Sequence, residues 1–89
     1  MSAESLLRDA EELVLRGDRA RQHGHPPASM RRVALAWSGI LGITVTGREV
    51  ALCLAAMKLC RDGHRHGADN LLDAAGYVLI AAMSEEAQA

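Results

Sequence analysis

Asp18, Arg19, Arg21, His23 and His25 crowd the stretch from Gly17 to Pro27, between two segments of helical periodicity. Guanidinium groups offer paired N–H donors to phosphate or carboxylate oxygens, and a connection this long is more than a small helical bundle needs. The stretch is therefore the first place to expect a ligand, and an anionic one. Lys58 and Arg61 lie three residues apart where a long apolar run ends, well placed to join Arg19 and Arg21 on a phosphate. They equally suit the carbonyl-rich end of their own helix.

Asp69, Asp73 and Tyr77 recur every four residues and so share one helix face, with Asn70 beside the first of them. Two carboxylates at that spacing, Asp69 and Asp73, are candidate ligands for a divalent cation. The plainer reading has Asp69 capping the helix and Asp73 pairing with Arg19, Arg61 or Lys58. His23 and His25, like His64 and His66, alternate as zinc ligands on an extended segment do. No thiolate lies near either pair, and exposed loop histidines, or donors to a nucleotide, fit them better. Trp37 sits in an apolar stripe and reads as core before it reads as a base-stacking platform. There is no Ser/His/Asp arrangement, Walker-type loop or Cys-x-x-Cys pair.

The elements that position these groups must be helices. The chain has 89 residues, a length suited to one domain, residues 1–89. A chain this small buries only roughly 60% of its unfolded surface, so self-association is expected. Its hydrophobic fraction is 49% but its aromatic fraction only 2%, leaving Leu, Ala, Val, Ile and Met to build a closely packed interior. A net charge of -1 argues against a general nucleic-acid binder, which needs a cationic excess, while a few arginines suffice for a free nucleotide. Cys53 and Cys60 stand about 10.5 Å apart along one helix, too far for a disulfide, and read as buried free thiols in a reducing compartment. With neither a signal-like start nor an apolar run long enough to span a bilayer, the chain is expected in the cytoplasm of a bacterial host, away from membranes.

Leu6, Leu7, Ala10, Leu13 and Val14 predict a first helix, opened by Ser2 and stopped by Gly17. A second begins near Pro27 and carries Met30, Val33, Ala34, Trp37, Ile40 and Leu41 on one stripe before Gly42. Thr46 and Glu49 have the spacing of a capping box for a third, running to about Arg61. That helix has no polar face from Val50 to Met57, so its neighbours must cover most of it. Val50, Leu52, Leu54, Met57 and Leu59 are then the expected main source of stability. A fourth helix, capped by Asp69 or Asn70, carries Leu71, Leu72, Ala75, Val78, Leu79, Ala82 and Met83, with Gly76 allowing close approach of another helix. The tail from Ser84 to Ala89 is expected to fray. The fold class is all-α, a four-helix bundle assembled as a homo-oligomer.

Gly17-Asp18-Arg19, His23-Gly24-His25-Pro26, Arg32-Val33-Ala34 with Trp37, Leu41-Gly42, Val50-Ala51, Lys58 with Arg61, and Asp69-Asn70 followed by Asp73 and Gly76-Tyr77 occur in an order that resembles a family of small phage and prophage proteins of uncharacterised function. That family is distantly similar to the MazG-like all-α nucleotide pyrophosphohydrolases. The resemblance implies a phosphorylated nucleoside, or another nucleotide-derived small molecule, as ligand. MazG-like enzymes bind an activating magnesium through paired acidic residues on two helices. Here the third helix supplies only Glu49, and the fourth offers Asp69 and Asp73 at another spacing, so half of that cage is missing unless Glu11, Glu12 or a neighbouring subunit completes it. The expectation is a nucleotide-sequestering protein that removes a second messenger of host defence and needs no cofactor to bind it. Its ligand-binding residues would be Asp18, Arg19, Arg21, His23, His25, Lys58, Arg61, Asn70, Asp73 and Tyr77, with no catalytic residue. The alternatives are a magnesium-dependent nucleoside triphosphate pyrophosphohydrolase and a structural or protein-binding bundle.

Overall fold

Ser2 opens the first helix. Its hydroxyl accepts from the Ser5 amide at 3.0 Å, while Ser5 Oγ accepts from the Ser2 amide at 3.0 Å, so two opening donors are satisfied reciprocally. The computed structural model describes residues 2–16 and 25–88, with side chains as far as Ser84. Helix α1 (Ala3–Glu11) passes into one π-helical turn (Glu12–Arg16), and Arg16 reaches back to pair with Glu11.

Helix α2 (Pro26–Leu41) has proline at its first two positions, where no intrahelical donor is lost. It ends at Gly42, whose φ of 71° lies in the left-handed region that glycine adopts without a Cβ penalty. Ser38 donates to the Ala34 carbonyl at 2.7 Å and accepts from the Val45 amide at 2.8 Å, tying the connector back onto α2. Thr46 then caps α3 (Gly47–His64): Thr46 Oγ1 accepts from the Glu49 amide at 3.1 Å, and Glu49 Oε1 accepts from the Thr46 amide at 2.9 Å. Helix α3 runs one turn further than Arg61. After a short link, α4 (Ala68–Gln88) continues past Ser84, which is buried and donates to the Ile80 carbonyl at 2.8 Å.

The described residues are therefore all-helical, four helices and no strand, consistent with a four-helix bundle. Helix α4 touches every other element. Its pairing with α3 is the most extensive; α3 otherwise packs mainly on α2, and α1 packs on α4. The interior is made of alanines, Ala10, Ala34, Ala51, Ala55, Ala74 and Ala81, with Val14 and Val50. Small side chains let helix axes approach closely, and Val50 is the largest side chain that is fully buried.

Several apolar residues lie where periodicity does not put them. Ile40 is 81% exposed and Leu41 also faces water; Leu7 and Val78 are exposed as well. Ala82 is exposed too. In α3 only the half bearing Val50, Ala51 and Ala55 is buried, so Leu52, Met57 and Leu59 contribute less to the core than expected. Cys53 and Cys60 are exposed, not buried. No described helix is long and apolar enough to cross a membrane.

Two glycines distinguish kinds of close approach. A Cβ on Gly47 would meet the backbone of Arg31 at 3.2 Å and of Met30 at 3.3 Å, contacts that cannot relax without moving α2. On Gly76 it would meet the end of the Val14 side chain at 3.4 Å, an ordinary contact. Gly47→Ala should cost about 1–3 kcal/mol, whereas Gly76→Ala should be neutral or stabilising by up to about 1 kcal/mol through its better helix propensity. Urea unfolding of the two variants beside wild type measures both.

Candidate functional site

The C-terminal half of α3 and the first turns of α4 bring charged groups together because a link of only three residues, 65–67, folds one helix against the other. Lys58 projects from α3 onto α4, where its Nζ lies 3.1 Å from Asp73 Oδ2. Both side chains are less than a fifth exposed, at 18% and 17%. Of the two described partners expected for Asp73, Lys58 and Arg61, Lys58 is the one that meets it. Tyr77, one turn beyond on the same face, is half-buried, while Asp69, one turn before, is exposed.

Below this pair lies a cluster that the spacing of residues did not suggest. Asp62 Oδ1 accepts from the Gly67 amide at 3.0 Å and lies 3.0 Å from His66 Nδ1. The cluster orders the entrance to α4, a task expected of Asp69 or Asn70 as the cap. Both lie inside the first turn of α4 instead, and the Asn70 amide bonds to the Gly67 carbonyl at 3.0 Å. The Gly67 N–H, with smaller help from His66 and Asn70, holds the Asp62 carboxyl below its ordinary range. An acid four residues before a histidine and five before a glycine was the available signal for this cluster.

Around these two satisfied acids, Arg61, His64 and Arg65 are exposed. Neither arginine has a carboxylate partner among the described residues. His25, at the cap position of α2, is exposed and its side chain makes no capping hydrogen bond. Asp18, Arg19, Arg21 and His23 lie outside the described residues, as does the expected stop at Gly17. Trp37 is half-buried and, with Ile40 and Leu41, lines an open apolar hollow of about 230 Å³ on α2.

Magnesium binding of the expected kind needs several carboxylates at one point, and the described acids are dispersed. Asp73 is committed to Lys58, Glu11 to Arg16 and Asp62 to the α4 entrance, and Asp69 stands in solvent. Among the described residues no three His, Cys, Asp or Glu side chains converge on a point that a metal could occupy.

Comparison with known proteins gives this helical chain a family. The model of a domain of unknown function, DUF6378, matches residues 5–86. The chain belongs to that family. It is also similar to the Gene 55 protein of Mycobacterium phage D29, 34% identical over 76 residues. That match covers 84% of this chain and 50% of the phage protein, so this DUF6378 chain spans about half the length of that relative. No solved structure matches it.

Two predictions follow from the paired acids of this DUF6378 chain. Asp73→Ala strands a half-buried ammonium and should cost about 1–3 kcal/mol, whereas Lys58→Met with Asp73→Leu should recover most of that loss; denaturant unfolding of the three variants measures it. For Asp62, the folded carboxyl is harder to protonate than the unfolded one. Its contribution is therefore complete above the ordinary aspartate range, near about 3.9, and is lost as pH falls through its lowered folded value. Asp62→Ala should be less stable than wild type at neutral pH, and the gap should close in strong acid, as read by thermal unfolding at a series of pH values.

Proposed function

We propose that this protein binds a phosphorylated nucleoside and withholds it without hydrolysing it, as a phage-type sponge for a nucleotide second messenger used in host defence. One observation carries the reading: at the exit of α3, Arg61 and Arg65 face solvent without a carboxylate partner among the described residues, while the neighbouring acids Asp62 and Asp73 are already engaged. Such a surface retains unneutralised guanidinium forks, which favour a phosphate. Arg19 and Arg21 add further cations in the segment that precedes α2. Membership of a family with a phage relative supports the setting.

Sequestration needs a complementary pocket and slow release, whereas hydrolysis needs a polarising metal and an activated water. The scattered carboxylates support the first. The experiment is calorimetry against a panel of nucleoside mono-, di- and triphosphates and cyclic dinucleotides, followed by mass spectrometry of the ligand after long incubation with magnesium or manganese. We expect one phosphorylated species to bind and to be recovered intact. Arg61→Ala and Arg19→Ala should each weaken it by about 1.5–3 kcal/mol. No binding across the panel would overturn the proposal; metal-dependent product in excess of protein, lost in Asp73→Asn, would replace it with a pyrophosphohydrolase.

A further inference from the structure

Helix α3 is apolar on two sides, and its own chain covers one. Val50, Ala51 and Ala55 are buried, and α2 and α4 are the elements that pack extensively on this helix. On the opposite side Leu52, Cys53, Ala56, Met57, Leu59 and Cys60 are all exposed, Leu52 at 38%, Met57 at 39% and Leu59 at 53%. At 100° per residue, Lys58, Arg61 and Asp62 project away from this face, so no charge falls on it between Glu49 and His64. An uncharged helical face about three turns long is a larger apolar patch than a lone small protein usually exposes.

We propose that a second copy of this chain covers it, in an isologous dimer whose two α3 helices pair antiparallel. The face suits a copy of itself: it is continuous over three turns, carries no charge between its ends, and has a glutamate at one end and a histidine at the other, so an antiparallel copy meets it with complementary ends.

The sequence of the face is self-complementary. Glu49, Cys53, Ala56, Cys60 and Gly63 alternate by four and three residues, forming a seam with small side chains at its centre. A two-fold axis midway between Cys53 and Cys60 sets Cys53 beside the partner's Cys60 and Ala56 beside the partner's Met57, small against large. The same axis brings Glu49, at the N-terminal end of one α3, to the partner's His64 at the C-terminal end of the other. Glu49 uses Oε1 in its own cap, a bond in which Oε2 takes no part. Like charges meet nowhere along the seam, which is what a surface that pairs with itself requires.

The test is sedimentation equilibrium of the reduced chain at micromolar concentration, beside Ala56→Glu. Ala56 is exposed in the single chain, so the variant keeps its fold, checked by circular dichroism, while burying two carboxylates near the axis. We expect a species of twice the 9.5 kDa chain mass and a dissociation constant raised about 100-fold or more in the variant, a change of about 2.7 kcal/mol. Diamide, which takes the hydrogens from two thiols as their sulfurs join, should link the wild-type dimer covalently; Cys53→Ser and Cys60→Ser should each abolish that link. A monomer, or a dimer indifferent to Ala56→Glu, overturns the proposal. Linkage that survives in either single-cysteine variant overturns the antiparallel register.

Discussion

The extensive contact between α3 and α4 is the constraint on which the rest of the molecule depends. Both helices bury alanines, Ala51 and Ala55 on one and Ala74 and Ala81 on the other, so the interior has little volume to fill. Stability then comes from many small burials and from well-satisfied helix ends, because no buried aromatic cluster adds the large increments such side chains bring elsewhere. Larger apolar side chains are displaced to the edges of the helix pairs, where Leu52, Met57 and Leu59 remain half in water.

The same contact creates the charged cluster. Lys58 and Asp73 belong to different helices, and only the close pairing of those helices, turned by a link of three residues, brings Nζ to 3.1 Å from Oδ2. Asp62 in turn makes the link tight enough to do so, through the Gly67 amide and His66. Packing, turn and ion pair are thus one arrangement. Phosphate affinity at the exit of α3 would depend on the acids being occupied within it.

Local features were legible in the sequence, and relations between helices were much less so. The caps at Ser2 and Thr46 and the stop at Gly42 follow from residue type and short-range spacing, and all three are present; at Gly76 a Cβ would meet only side chains of Leu13 and Val14 at ordinary contact, so the close backbone approach expected there is not what the glycine serves. Periodicity failed at Ile40 and Leu41 because a stripe marks an apolar side without saying whether another helix covers all of it. It failed at Cys53, Cys60 and Leu59 because an all-apolar helix carries no mark of which half faces its own chain. For the candidate site, Lys58 as the partner of Asp73 was one of three open possibilities, decided by helix pairing. The Asp62 cluster escaped because its acceptor lies in one helix and its donors beyond the turn. The segment bearing Asp18, Arg19, Arg21 and His23 is outside the described residues.

Helix α1 packs extensively on α4 and on no other helix described, so in the order of synthesis α1 waits for α4. While α2 and α3 can close over the Ser38 tie as soon as they emerge, α1 and its π-helical turn leave the exit tunnel with Ala10 and Val14 without a partner for some fifty residues of synthesis, roughly 2.5 to 10 s at ordinary elongation rates. Its reciprocal Ser2 and Ser5 cap favours helix during that interval. An isolated segment this short is nonetheless marginal in water, so docking onto the newly made α4 is also the step that completes α1 itself.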